Sequence, residues 1–396
     1  MSSDVDSWDP TQYDFDPRPS DEEIALGNTA SERIATIRTS DRLNFRRCRR
    51  RWAWSSHLRG NREYIQRRAP LWTGTGFHFA LEDCHGENLF GNPADAFRAY
   101  HEATLKQVNR NRIYLPGDLE EQVELATGML DYYWNDWLKN RDPLKTLIHN
   151  GVPQVEVNFR VEIPWERGKY GYDRVVYSGT LDRVVIDEHG SIWIVEYKTA
   201  KTIQTSHFSN DTQVSSYVWA GNLIYGRPIA GVIYQQHRKD VPREPKVKMS
   251  GKLSTNKDQL ITASSLRKHI ISICGSVENA PFEYVEFLNY FTRLEDSDSD
   301  KFIRRDRIRR NEHQAAAEGE KILMEVDEML NPDLPLYSNA DRTCAFMCDF
   351  HGPCVSLDDG SDWEYELELT TKPRESKYDG WRKHVIYPND VQNITF

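Results

Sequence analysis

The chain has 396 residues, 38% of them hydrophobic, with 11 Trp, 19 Tyr and 15 Phe, which suffices for one large or two ordinary domains with a real core. A formal net charge of -10 excludes a uniformly basic protein that coats DNA, although it leaves room for a local basic groove. No N-terminal apolar run or long apolar segment occurs, so neither a secretion signal nor a membrane span is expected, and the chain reads as cytoplasmic with no membrane partner.

Residues 1–40 are acidic and rich in Ser, Pro and Asp, and are expected to be a disordered N-terminal segment. Next comes "RLNFRRCRRRWAWSSHLRGNREYIQRR", crowded with arginine around Cys48, Trp52 and Trp54. It reads either as a solvated helical face or as a phosphate-contacting patch with aromatics for stacking. In the second reading Arg46, Arg47, Arg49, Arg50 and Arg51 line a DNA groove. "GTGFHFALEDCHG" puts His78 near the start of a helix. Helical spacing in "ADAFRAYHEATLKQV" and "EQVELATGMLDYYWNDWL" predicts packing helices within a helical insertion at about 81–150.

A β-rich region covers roughly 152–198, with strands in "VPQVEVNFRVEI", "VVYSGTLDRVVI" and "IWIVEYK". A helix follows, capped by Asn210 or Asp211 and stopped by Gly226 and Pro228; Val214, Tyr217, Val218 and Gly221 share one face of it. "IAGVIYQQH" predicts a further strand. "RKDVPREPKVKMSGKLSTNKDQ" predicts a long, mobile basic loop carrying Lys246, Lys248 and Lys252. A long helix is expected within 299–330, then the cluster "CAFMCDFHGPC", then a weakly patterned tail over 356–396. There is no internal repeat and no Walker-type phosphate loop, so no visible motor.

The chemistry gathers where the third strand ends. Glu196 and Lys198 share a strand face because side chains alternate. A carboxylate and an ammonium at the end of a core strand are costly unless paired or used. An isolated E-x-K is ordinarily a salt bridge, but this one follows a strand that carries Asp182 between apolar stretches. Carboxylates and an imidazole such as His78 bind hard or borderline divalent cations, which polarise a phosphate and acidify a bound water. A lysine beside them offsets developing charge.

The order of these pieces — His78 in "GTGFH", Glu156 in "QVEVNF", Asp182 in "SGTLDRV", Glu196 and Lys198 in "VEYKTAK", Gln213 and Tyr217 in "QVSSY" — resembles the PD-(D/E)XK nuclease superfamily. Within it the chain looks like the RecB-like branch, which includes the CRISPR-associated RecB-like exonucleases and the AddB nuclease domain. The resemblance covers about 43–355 and implies an α/β fold: a restriction-endonuclease-like core with a mixed central sheet flanked by helices. It implies a nuclease domain over 41–355 that works as a DNA exonuclease, with 5′→3′ polarity. The DNA would be single-stranded or have free ends, and the absence of helicase motifs suggests a free-standing nuclease or one working with a recombination or helicase protein. His78, Asp182 and Glu196 would bind Mg²⁺ or Mn²⁺ with the Tyr197 carbonyl. Lys198 would be the catalytic lysine, Gln213 and Tyr217 would face the site, and Glu156 would be a supporting acid. The spacing of Gln213 and Tyr217 supports that independently, since i and i+4 share a helical face. "KVKMSGKLS" also looks like an insertion in RecB-like exonucleases of actinobacterial phages, which implies a phage-encoded protein in a bacterial host cytoplasm.

Three of the six cysteines, Cys344, Cys348 and Cys354, lie close together. Such clustering in a chain without a secretion signal favours a metal site over disulfides. The RecB-like resemblance implies a 4Fe–4S cluster held by Cys48 and these three, a clasp joining the N- and C-terminal parts. The C-x3-C-x5-C spacing departs from the usual pattern. Zinc is the alternative, with His351 able to replace one cysteine. Cys84 and Cys274 read as structural. Two other classes stand beside the enzyme: a DNA-binding subunit that does not cut, and an iron–sulfur interaction subunit of a larger assembly.

Overall fold

The computed structural model describes residues 32–374 apart from 66–68, 112–117, 150, 207 and 298–299, and in addition 385–386. The expected disordered segment therefore lies outside the described residues up to 31. Its last part is ordered: Ile34–Arg38 is a strand, β1, whose Ala35 and Ile37 are buried. Two helices follow, α1 (Thr39–Arg47) and α2 (Arg49–Ser55), and a short strand, β2 (Arg62–Tyr64).

Three helices pack next: α3 (Ala69–His85), α4 (Pro93–Asn111) and α5 (Leu119–Tyr132), the last running into a π-helical turn over Tyr133–Leu138. The helical insertion thus starts before residue 81, and His78 sits well inside α3. The strands β3 (Val155–Ile163), β4 (Arg174–Ile186) and β5 (Ile192–Ala200) match the apolar runs of the sequence. Helix α6 (Thr212–Tyr225) and strand β6 (Ile229–Arg238) come next. Asp211 caps α6 by accepting from the N–H groups of Gln213 (2.9 Å) and Val214 (3.3 Å), and Gly226 ends it at φ +58°.

The remaining elements are α7 (Ala263–Cys274), α8 (Phe282–Asp296), β7 (Ile303–Arg309), α9 (Glu312–Leu330), α10 (Cys344–Met347), α11 (His351–Asp359), α12 (Trp363–Thr370), β8 (Thr371–Pro373) and β9 (Val385–Ile386). The long helix expected within 299–330 is α9, which fills the second part of that stretch. The first part is the edge strand β7, antiparallel to β6, and the helix starts only after Asn311, whose side chain accepts from Gln314 N–H (2.8 Å). The period of two in Ile303 and Arg305, buried to either side of half-buried Arg304, overrides helix propensity there, because β6 offers a free edge.

The described residues form an eight-stranded mixed sheet in the order β7-β6-β5-β4-β3-β9, with β1 and Lys145–Thr146 also paired to β4. One side is covered by α1, α6 and α9, with Phe159, Tyr177, Leu181, Ile194, Tyr217 and Ile322 in one core. The other is covered by α3, α4 and α5, with Phe77, Phe97, Leu130, Tyr133, Trp193 and Tyr197 in a second.

One edge of β4 is shared. Its first half, Arg174–Ser178, pairs with β1, and its last residues, Arg183–Ile186, pair with β5. Between these the edge is open, so β5 leaves β4 after Val195 and the sheet forks at Asp182. Gly179 lets α1 close onto the fork: a Cβ there would lie 2.5 Å from Thr39 Oγ1. The alternation of faces also slips at this point. Leu181 and Val184 both belong to the first core, whereas Val185 belongs to the second. Opposite, Glu156 takes φ +44° between Val155 and Val157.

Candidate active site

The fork brings seven of the sequence-predicted side chains to one place. His78 Nδ1, on α3, lies 3.0 Å from Glu156 Oε1 and 3.4 Å from Asp182 Oδ1. Ligand atoms of these three residues all fall within 4.8 Å of one another. The left-handed backbone of Glu156 and the slip at Asp182 turn both carboxylates toward α3. Asp182 Oδ2 accepts from Tyr197 N–H (2.7 Å), which ties the fork to the diverging end of β5. There Lys198 Nζ pairs with Glu196 Oε1, which also accepts from Gln213 Nε2 (3.2 Å). Gln213 Nε2 in turn donates to Tyr217 Oη (2.8 Å), one helical turn on.

The charges in this cluster shape one another. Burial, and then the Asp182 carboxylate, push Glu196 up to about 7 against the pull of Lys198. Burial opposes the charge on Asp182 as well, but His78 and Lys198 outweigh it and hold Asp182 below its usual range. His78 is raised well above its usual value despite burial, because Asp182 and Glu156 favour the imidazolium. Lys198 is raised by Glu196 and Asp182, again against burial. Burial keeps Tyr217 a phenol.

The donor set fits Mg²⁺ or Mn²⁺. Glu196 Oε2 is buried with no hydrogen-bond partner among the described residues, within electrostatic reach of Asp182 and His78, while the close triad of ligand atoms is His78, Glu156 and Asp182. A buried oxygen of that kind is costly unless a cation satisfies it, and oxygen-rich sets suit hard cations.

Tyr197 is split between the two sides. Its N–H serves Asp182, while its ring is buried in the second core, where its hydroxyl accepts from Arg183 Nη1 (3.4 Å). Arg183 and Arg305 together clamp Asp142 at 3.3 and 2.9 Å, all three nearly inaccessible. This support beneath the site was missed in the sequence. Asp142 lies 41 residues from one arginine and 163 from the other, and no local pattern links them.

The arginines expected to line a DNA groove are in large part engaged within the protein. Arg46 pairs with Glu318 (3.2 Å) and Glu325, and Arg49 with Glu328. Arg50 pairs with Asp358 (2.7 Å), and Arg47 donates to Thr343 Oγ1 (3.1 Å). Arg51 borders a small pocket with Arg62 and Arg374. Trp52 is buried, and Trp54 stacks on Trp363 at 5.9 Å. Acidic faces of α9 and α11 therefore neutralise most of the row, and its aromatics pack inward.

All six cysteines are free. Cys48 Sγ accepts from the N–H groups of Arg51 (3.5 Å) and Asn339 (3.4 Å), Cys344 Sγ from Asp341 N–H (3.4 Å), and Cys354 Sγ from Arg50 Nη1 (3.2 Å). Burial raises Cys348, and neighbouring Cys344 and Cys48 raise it further, so these three sulfurs share one neighbourhood. Among the described residues no three of these sulfurs come within 4.8 Å of one another. Cys84 packs in the second core and Cys274 ends α7.

Carboxylates at the fork of a mixed sheet, with a lysine on the diverging strand, make the donor set that divalent-metal hydrolases require. The chain belongs to the PD-(D/E)XK nuclease superfamily, whose family model matches residues 42–355. Its fold is accordingly restriction-endonuclease-like, and the superfamily makes it a nuclease. No curated protein matches the chain. A solved structure, "Crystal structure of SSO0001", is similar at 14% identity over 56% of this chain and 74% of that one, with a TM-score of 0.23. Among the described residues no helix is long and apolar enough to cross a membrane.

Proposed function

We propose that the protein is a metal-dependent DNA exonuclease of the RecB-like branch, acting from DNA ends in recombination, repair or end processing, with 5′→3′ polarity. The close triad of His78, Glu156 and Asp182, with the buried, unpartnered Glu196 Oε2 within electrostatic reach of Asp182 and His78, carries this reading. His78, Asp182, Glu196 and the Tyr197 carbonyl hold the cation, and Glu156 orients His78. When bound, Mg²⁺ or Mn²⁺ would supply the Lewis acidity that polarises the phosphate and acidifies water. Lys198 holds its ammonium beside Glu196, where it can orient the attacking oxygen and balance charge on the phosphate. Gln213 fixes Glu196 and receives its own bearing from Tyr217. Cys48, Cys344, Cys348 and Cys354 hold a 4Fe–4S cluster that is structural, and a helicase or recombination protein supplies the motor this chain does not show.

The test is cleavage of end-labelled linear DNA against closed circular DNA with Mg²⁺ or Mn²⁺. Linear DNA should be degraded and circles spared. Lys198→Ala should lower the rate by roughly 10²–10³ while leaving DNA affinity nearly intact. Glu196→Ala and Asp182→Ala should also lose the rise in melting temperature that Mn²⁺ gives the wild type. Near-wild-type cleavage by Lys198→Ala would overturn the assignment. DNA binding without any cleavage by the wild type would favour a non-cutting subunit.

A further inference from the structure

Between β6 and β7 the chain leaves the sheet and returns to it. At the start Lys239 N–H donates to Ala200 O (2.8 Å), and at the return Phe302 O accepts from Arg238 N–H (2.7 Å). Strand β6 is parallel to β5, with Lys198 opposite Gln236 and Ala200 opposite Arg238. Both feet of the insertion thus stand at the end of the sheet that carries Lys198, the end where such sheets place their ligands. A cavity lies there, lined by Thr202, Ile203, Arg238, Asp300, Lys301 and Arg304. Asp300 is taken by Arg141 (2.8 Å) and Arg304 by Asp306 (2.8 Å). Arg238 and Lys301 have no acidic partner among the described residues.

The insertion has its own core, in which Leu253, Leu266, Ile270, Tyr284 and Phe287 are buried. From this base a hairpin projects. Val247 and Leu253 form a bridge, Lys248 N–H donates to Lys252 O (2.8 Å), and Gly251 at φ +77° closes the turn. Leu253 anchors it, with its N–H on Tyr284 Oη (3.1 Å). The expected mobile loop is therefore a braced finger. Its tip is apolar and basic together: Met249 is fully exposed and Val247 is 50% exposed. Lys246, Lys248 and Lys252 surround them, exposed and with no acidic partner among the described residues.

We propose that this hairpin is a wedge for DNA duplex ends. Met249 stacks on the terminal base pair, the three lysines hold phosphates, and one freed strand passes Arg238 and Lys301 to reach Glu196 and Lys198. Apolar side chains, methionine among them, open base steps in this way, and the basic collar supplies the attraction that the acidic chain as a whole does not. Lysines on phosphates carry no base preference, as an end-processing protein requires. The passage to the active site rests on the nuclease reading above; the opening of the duplex does not.

The experiment uses the full chain and a blunt duplex with 2-aminopurine in its terminal pair, in EDTA so that no cleavage occurs. Wild-type protein should raise the fluorescence, and Met249→Ser should not, at saturating protein. With Mn²⁺, Met249→Ser should cut single strands at the wild-type rate and blunt duplexes about tenfold more slowly. Replacing Lys246, Lys248 and Lys252 by Ala should lower the slope of log affinity against log salt by roughly 2–3. A Met249→Ser protein that still unstacks the end, or keeps the wild-type ratio of duplex to single-strand cleavage, overturns the wedge. Wild-type protein that opens the end but cuts nothing would sink the nuclease reading and leave the wedge standing.

Discussion

Glu156 is held at φ +44°, a conformation that costs a residue with a side chain about 1–2 kcal/mol. The surrounding ladder maintains it, because Val155 and Val157 keep their register with Arg183 and Leu181 on either side. The strain turns the carboxylate out of the strand and onto His78. This gives a clean comparison. Glu156→Gly and Glu156→Ala both delete the carboxylate and its bond to His78, so that loss cancels between them. Glycine ordinarily weakens a strand. Here Glu156→Gly should be the more stable of the two by about 1 kcal/mol in urea unfolding. The opposite order would mean that the backbone relaxes at 156 once the side chain is gone, and that the carboxylate itself enforces the bend.

The contact between β4, β7 and the chain after α5 rests on Asp142, Arg183 and Arg305. A buried carboxylate between two guanidinium groups is stabilised as the anion. Burial pushes Asp142 up, but Arg305 and Arg183 more than compensate and bring it to about 2. Its folded value lies below its unfolded one, so the stabilisation is present above the unfolded pKa and is lost as pH falls through the folded value. The shift amounts to about 2–3 kcal/mol, with Asp142 only 1% exposed. Asp142→Asn leaves two buried arginines without a counter-ion and should cost about 3–5 kcal/mol at pH 7. Urea unfolding of both proteins should show the gap narrowing from about pH 4 downward and constant above about pH 5. A gap that does not change with pH would place the cost in packing instead of charge.

In the molecule as a whole, the first helices and the last ones are bound together across the core. Arg42 and Arg46 reach Glu318 and Glu325 on α9, Arg50 reaches Asp358 on α11, and Arg50 N–H donates to Tyr337 O (3.1 Å). The four cysteines lie along the same seam. Protein purified without oxygen should be brown, with about four irons per chain. Serine in place of Cys48, Cys344, Cys348 or Cys354 should bleach it and lower its melting temperature, because cluster binding is coupled to folding. Serine at Cys84 or Cys274 should keep the colour. Colourless protein with stoichiometric zinc would replace the cluster by a zinc site.

Much of the site was legible in the sequence because its signals are local. Glu196 and Lys198 share a face by the period of two, Gln213 and Tyr217 by the helical turn, and Asp211 and Gly226 announce the ends of their helix. The core strands were legible for the same reason, as apolar runs dense in β-branched residues. What crosses the sheet was not. Whether the Arg46–Arg51 row meets phosphate or protein depends on which helix faces it, and α9 supplies that face from some 270 positions away. Residues 303–309 carry a strand period too short to outweigh helical propensity until the edge of β6 is there to pair with. Asp142 has no meaning beside its neighbours and acquires one only between Arg183 and Arg305. Chemistry carried by adjacent residues is written in the chain, whereas the pairing of distant charges and the choice of a sheet edge follow from burial, which only the packed molecule determines.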